Sequence, residues 1–277
     1  MTGIFRANNP LNASILFVYG LLLKLPFLWG TQRFSVQSSD GFLYKDIIAL
    51  LKPAFDSWSS LAPIVTYLLL FTQAITINYF INAGKMVPKP NYLYGMTYLL
   101  ISSFFPSWNV FSAALLVTTV LLWIFGKLMS LGNSQKIKGN LFNIGFVIGI
   151  CSFLYMPSIG ILLLVIFGLM IARPPKIAEW AMVLLGFATI WYLLAAWLFL
   201  SDRFYHFFIP GLKVDLPDIH FTPMVFIRIG LIALLFLIGV YFIQAEAAKQ
   251  VIQVRKRWSI ILAGIFVMIG MPFRVIM

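Results

Sequence analysis

The sequence predicts an all-α fold, a polytopic transmembrane bundle of about nine spans, and three observations lead there. Eight or nine apolar runs alternate with short connectors, most of them near the roughly 20 residues that a hydrocarbon core of about 30 Å demands of a helix. Every second connector carries Lys or Arg with almost no acid, the mark of cytoplasmic segments. Composition agrees: 61% of residues are apolar, 10% are charged and the mean hydropathy is +0.96. Soluble domains carry about 25% charged residues.

The expected spans are 11–30, 60–83, 91–105, 108–126, 139–155, 158–172, 177–200, 222–244 and 258–273, within one transmembrane domain, 1–277. Only Arg6 precedes the first apolar run and no small-x-small cleavage site follows it, so the first helix is expected to stay. With the amino terminus inside, nine spans put the carboxyl terminus outside. The inner connectors then hold Arg6, Lys85, Lys89, Lys127, Lys136, Lys138, Arg173, Lys176, Lys249, Arg255, Lys256 and Arg257 against Glu179 and Glu246, a net of +10. The outer set of Arg33, Lys45, Lys52, Arg203, Lys213 and Arg274 is cancelled by Asp40, Asp46, Asp56, Asp202, Asp215 and Asp218. Reversing the chain would violate the positive-inside bias in every short connector.

The formal charge of +12 raises the question of nucleic acid. Its basic residues stand in ones, twos and threes beside apolar runs, however, which reads as a topology signal plus attraction to anionic lipid head groups, with no nucleic-acid partner. Cys151 is alone within an apolar run, so there is neither a disulfide framework nor a thiol metal site. Phosphate-binding Gly-Lys-Ser/Thr loops, Gly-x-Ser-x-Gly elbows and His-Glu-x-x-His helices are missing from the sequence. Trp29, Trp58, Trp108, Trp180 and Trp258 fall near expected membrane edges, as an aromatic belt does.

Two stretches repeat one another. Ser103-Phe104-Phe105-Pro106-Ser107 and Ser152-Phe153-Leu154-Tyr155-Met156-Pro157-Ser158 each follow about 15 apolar residues and precede another apolar run, so both read as helical hairpins turning at Pro-Ser. At 1.5 Å per residue, about 15 residues climb only some 22 Å, and the turns are expected below the outer surface. Irregular backbone at that depth survives only buried in protein or lining a wet cavity. An outward-facing cavity is therefore expected, overhung by two outer loops, 31–59 and 201–221. In the first, Lys45, Ala49, Lys52 and Asp56 share one helical face, while Leu43, Ile47, Leu50, Leu51 and Ala54 occupy the other, giving an interfacial helix that Pro53 should end or kink.

Charged residues inside spans are costly and mark function or pairing. Lys24 lies about six residues short of the outer exit, and Arg228 six residues into the eighth span. Each can hold a phosphate or reach outward to the head groups. Gln73, Thr76, Asn78 and Asn82 cluster in the second span, as interhelical links or as cavity wall. His206 and His220 in the second outer loop lack the spacing of a zinc pair. No metal site is expected, and His206 is a candidate cavity-lining residue with Gln73 and Asn78.

The short inner tail, single span, outer loop with an acid near the membrane exit, interfacial helix and paired short hairpins resemble the C-type (GT-C) integral-membrane glycosyltransferases. Gly145, Gly149, Met156-Pro157-Ser158 and Ile171-Ala172-Arg173-Pro174-Pro175-Lys176 look like that family's hairpin and following basic connector. The chain as a whole, opening with Ile4-Phe5-Arg6-Ala7-Asn8-Asn9-Pro10, also resembles a family of polytopic inner-membrane proteins of the Bacteroidota, a likeness that implies no activity. This second resemblance implies a bacterial inner-membrane location, and the first implies a polyprenyl-phosphate-linked sugar as donor. An acceptor hydroxyl would attack the anomeric carbon on the outer face. Asp40 is the positional match for the catalytic carboxylate, with Asp46 second; here Asp40 is followed by Gly41 rather than by another acid. Arg228, Lys24 and Arg203 are the candidates for holding the lipid phosphate. The alternative is a non-catalytic subunit of a cell-envelope complex, with the 201–221 loop and Lys249–Arg257 as docking surfaces for protein partners.

Overall fold

Every expected span coincides with a helix in the computed structural model, which describes residues 2–6, 9, 11–28, 40–58, 60–131, 137–174, 176–202, 223–247 and 251–270. The helices are α1 (Thr2–Phe5), α2 (Leu11–Leu28), α3 (Phe42–Ser57), α4 (Leu61–Ala83), α5 (Leu93–Ser102), α6 (Ala113–Ser130), α7 (Ile137–Leu154), α8 (Ile161–Ala172), α9 (Ile177–Leu200), α10 (Pro223–Ala247) and α11 (Ile252–Gly270). Tight 3₁₀ turns at Pro106–Asn109 and Met156–Gly160 sit where the two Pro-Ser hairpins were expected. Among the described residues, five helices are long and apolar enough to cross a membrane: α2, α4, α6, α7 and α9. The chain is thus all-helical, with a pattern compatible with a multi-pass membrane protein.

The distribution of side chains supports that reading. Leu68, Phe167, Leu184, Leu193, Leu200 and Phe242 are exposed, whereas Asn12, Lys24, Gln73, Asn78, Asn109 and Ser158 are buried. Water would penalise such an arrangement, and hydrocarbon favours it.

Two groups of helices meet at α6. On one side α2, α4 and α5 pack around Leu16, Leu70, Ala74 and Leu99. On the other, α7, α8, α9 and α11 surround Ile144, Ile148, Leu164 and Val183. The closest pair is α7 with α9, which run parallel. A Cβ on Gly145 would fall on the Val183 carbonyl oxygen, and one on Gly186 on the Phe142 carbonyl oxygen. Without hydrophobic driving force between helices in lipid, such small-residue approaches gain stability from dispersion. Gly145 and Gly149, which carried part of the family resemblance, thus have a packing role in this chain.

Two hairpin legs differ from expectation. The α5 helix has 10 residues, about 15 Å of rise, while α7 has 18, about 27 Å, so the two hairpins are not equally short. The α6 helix starts at Ala113 rather than near 108, because the 3₁₀ turn and extended Val110 occupy the gap and Ser112 caps the helix, its Oγ accepting the Leu115 N–H at 3.3 Å.

One end of the bundle collects bases. Arg255, Lys256 and Arg257 lie in the first turns of α11, where the helix dipole disfavours cations. They are retained by neighbours: Arg257 donates to the Gly84 carbonyl at the end of α4, and Lys256 to the Ala172 carbonyl at the end of α8, at 3.3 Å. Both acceptors are carbonyls left orphaned by a helix C-terminus. Nearby, Arg173 faces Glu179 at 3.8 Å. Asn82 and Asn91 close the α4–α5 connector reciprocally, Nδ2 of Asn82 donating to the Asn91 carbonyl and its Oδ1 accepting the Asn91 N–H.

Placing a methyl group at Gly145 should cost about 1–3 kcal/mol by overpacking, whereas Gly139→Ala, with open space around it, should be neutral or stabilising by up to about 1 kcal/mol. Thermal unfolding in detergent followed by tryptophan fluorescence checks the pair. Equal melting of Gly145→Ala and parent would remove the α7–α9 close approach as a stabilising contact.

Candidate functional site

At the end of the bundle away from the basic cluster, both hairpin turns are held by side chains and backbone from the first two segments of the chain. In the first turn, Asn109 Nδ2 donates to the carbonyls of Ser102 (3.0 Å) and Phe105 (2.8 Å), closing the break between α5 and the 3₁₀ turn. Lys24 reaches this knot from α2, with Nζ donating to Ser102 Oγ at 2.8 Å and to Asn109 Oδ1. Lys24 is 2% exposed, so of its two expected roles the outward reach to the head groups gives way to an internal one. Its location four residues before the end of α2 puts it level with the turn.

The second turn is held by the start of α3. Asp40 forms an isolated antiparallel bridge with Tyr155, and the Gly41 N–H donates to the Leu154 carbonyl at 2.9 Å. Only glycine fits at 41, because a Cβ there would fall on the Phe153 carbonyl oxygen. Phe42 packs on Phe153, which meets Trp191 of α9 edge-on. One turn later Tyr44 crosses to the first hairpin, its hydroxyl donating to the Phe111 carbonyl at 3.2 Å. Burial, and secondarily the negative charge of Asp40, raise the Tyr44 phenol well above its ordinary range, so it stays a neutral donor. Lys24 is therefore tied to the first turn and Asp40 to the second, and both residues are buried.

The α3 helix lies over these turns on a face different in part from the expected one. Tyr44, Ile48 and Phe55 are buried against the bundle, while Leu50 is 80% exposed and Ala54 is exposed. The apolar half of α3 is wide enough to divide, one strip into protein and the adjoining strip outward, as an interfacial helix in a bilayer requires. Pro53 neither ends nor breaks it, and α3 continues to Ser57, whose Oγ donates to the Pro53 carbonyl at 2.7 Å. The carbonyl that Pro53 leaves without its donor belongs to Ala49 on the exposed side, where solvent can satisfy it.

The other expected residues fall apart from this site. Asp46 is exposed on α3 and is not gathered with Asp40. Gln73 is fully buried with its amide saturated: Nε2 donates to the Leu115 carbonyl (2.9 Å) and Thr119 Oγ1 (2.7 Å), and Oε1 accepts from Tyr98. It ties α4, α5 and α6 together instead of lining a cavity. Asn78 is buried in α4, its Oδ1 without a hydrogen bond. Arg203 and His206 lie outside the described residues, and Arg228 falls in α10 where only the backbone is described. No cluster of three potential metal ligands occurs among the described residues.

A small recess opens beside the first turn, between α2 and α4, walled by Lys24, Thr66 and Asn109 with Phe27, Leu28, Pro63 and Leu70. Its inner space is about 10 Å³, room for about one water. Most of the two loops expected to overhang a broad outward cavity, 31–39 and 203–221, lies outside the described residues. Sequence reading missed Asn109, Tyr44 and Thr66. Asn109 had a readable signal, since a polar amide three residues after Pro106 is well placed to close a turn.

The described residues form an all-helical bundle, compatible with a multi-pass membrane protein, in which the amphipathic helix α3 is seated across two hairpin turns. Compared with known families, curated proteins and solved structures, the chain matches none.

Losing the hydroxyl in Tyr44→Phe should cost about 1 kcal/mol, and Gln73→Leu, which strands the Tyr98 hydroxyl, about 1–3 kcal/mol. Gly41→Val should release α3 from the second turn altogether, exposing the 40–58 segment to protease in detergent while Tyr44→Phe remains resistant. Equal resistance of Gly41→Val and parent would show that the Gly41 contact does not hold α3.

Proposed function

We propose that the chain acts in a bacterial inner membrane on a polyprenyl-phosphate-linked sugar, as a compact transferase of C-type architecture working at its periplasmic end, where the two hairpin turns lie. The observation that carries this reading is the seating of Asp40: an interfacial helix holds one buried carboxylate residue against a hairpin turn, beside a second turn that carries a buried lysine. In this reaction the acceptor hydroxyl gives its proton to Asp40 as its oxygen bonds to the anomeric carbon. The bond from that carbon to the phosphate oxygen breaks, and polyprenyl phosphate leaves with the electron pair. General-base help of this kind contributes about 10²–10⁴-fold. The leaving phosphate needs a cation, for which Lys24, Arg228 and Arg203 are the candidates. The positive-inside bias supports the orientation, with the amino terminus cytoplasmic and the carboxyl terminus periplasmic.

A second reading, a non-catalytic subunit of an envelope complex, is favoured by one observation. Among the described residues α10 packs chiefly on α11, and Leu234, Leu237, Tyr241 and Phe242 are exposed, a surface that another membrane protein would cover.

The test is sugar transfer from a polyprenyl-phosphate sugar by the purified chain. Asp40→Asn should lower turnover by about 10²-fold or more and leave lipid binding intact, while Asp46→Asn stays near the parent rate. Unchanged turnover in Asp40→Asn would reject the assigned base, and a parent that transfers nothing while retaining a partner protein would favour the subunit reading.

A further inference from the structure

We infer that the recess between α2 and α4 is a lateral binding site for the phosphate of an anionic lipid, with Lys24 as its cation. This rests on the preceding reading only for the class of lipid and does not need Asp40 to turn over. The argument begins with charge. Lys24 is buried in the last turns of α2, and among the described residues no carboxylate lies within ion-pair distance of it. Its two hydrogen bonds go to neutral oxygens, Ser102 Oγ and Asn109 Oδ1. An ammonium carries three donors, so one remains. A buried cation served only by neutral acceptors is costly, and an anion that brings its own charge offsets that cost.

Geometry then selects the anion and its source. Lys24 and Asn109 form the polar floor of the recess, and Phe27, Leu28, Pro63 and Leu70 form apolar walls. Leu28 ends α2 and Pro63 lies in the first turn of α4, which sets the mouth at the same end as the interfacial helix α3, near head-group depth. The inner space admits about one water, and an oxygen atom of a phosphate has nearly that size. One phosphate oxygen therefore enters and accepts from Lys24, while the ester and its hydrocarbon chains lie along the apolar rim. A free phosphate ion, hydrated on every side, gains nothing from that rim, so the source is a lipid.

Binding to the full chain in detergent, measured by native mass spectrometry, tests this. The probes are phosphatidylglycerol, a C55 polyprenyl monophosphate and, as the zwitterionic control, phosphatidylcholine, with inorganic phosphate as competitor. Lys24→Met should weaken both anionic lipids about tenfold or more and leave phosphatidylcholine unchanged. Leu28→Trp blocks the half-exposed rim without touching the bonds of Lys24 and should have the same effect, so it decides the matter if Lys24→Met does not fold. Parent affinity for the anionic lipids in a folded Leu28→Trp or Lys24→Met protein would overturn the site, and displacement by inorganic phosphate would overturn the lipid as its source. Asp40→Asn should bind as the parent does. If the site responds as expected but the parent transfers no sugar, the transferase reading falls and the lipid site stands.

Discussion

A chain that turns back inside a bilayer must satisfy its own backbone there, because hydrocarbon offers no hydrogen bonds. Among the described residues, most of the buried polar groups at the turn end of this bundle meet that requirement. The break after α5 frees carbonyls of Ser102 and Phe105, which the Asn109 amide takes up. Asn109 is in turn fixed by Lys24, and the Phe111 carbonyl is met by Tyr44. At the second turn the Leu154 carbonyl receives the Gly41 N–H. The position of α3 follows from these bonds. It lies where it does because its first turn supplies donors to one hairpin and its N-terminal flank supplies a donor to the other.

The opposite end solves the same problem with charge. Helices α4 and α8 finish with orphaned carbonyls, and Arg257 and Lys256 from α11 donate to them. Cations at helix C-termini interact favourably with the macrodipole, so residues that a topology rule counts only as charge also lock three helices together. The two ends thus differ in kind: neutral amides, a hydroxyl and one lysine at the turns, and a network of bases at the helix termini.

The helices were legible because hydrophobic length is a one-dimensional property. The amphipathic helix α3 and the turn positions were legible for a related reason, since amphipathic spacing and Pro-Ser punctuation are local. Which way a polar side chain faces is not local. Gln73 and Asn78 sit five residues apart in one helix, yet Gln73 is saturated by α5 and α6 while the Asn78 oxygen is left without a hydrogen bond. Nothing in the second span foretells that Leu115, Thr119 and Tyr98 converge on one of them. Leu50 shows the same limit: the sequence places it on the apolar side of α3 correctly but does not say that this side is shared between protein and exterior. Gly145 and Gly149 were noticed for a resemblance, and their physical role appears only once α9 is laid beside them.

Asp40 differs from the other polar residues at these turns in one respect. Its attachment to Tyr155 is a backbone bridge, and the neighbouring bond from Gly41 is also backbone. Those two bonds are made by the backbone, and Asp and Asn are interchangeable as far as they are concerned. Lys24 and Asn109 are bound into the knot by their side chains, so changing them alters shape and charge together. A substitution at 40 therefore leaves the backbone contacts of its turn in place, whereas one at 24 or 109 removes hydrogen bonds that close the other turn.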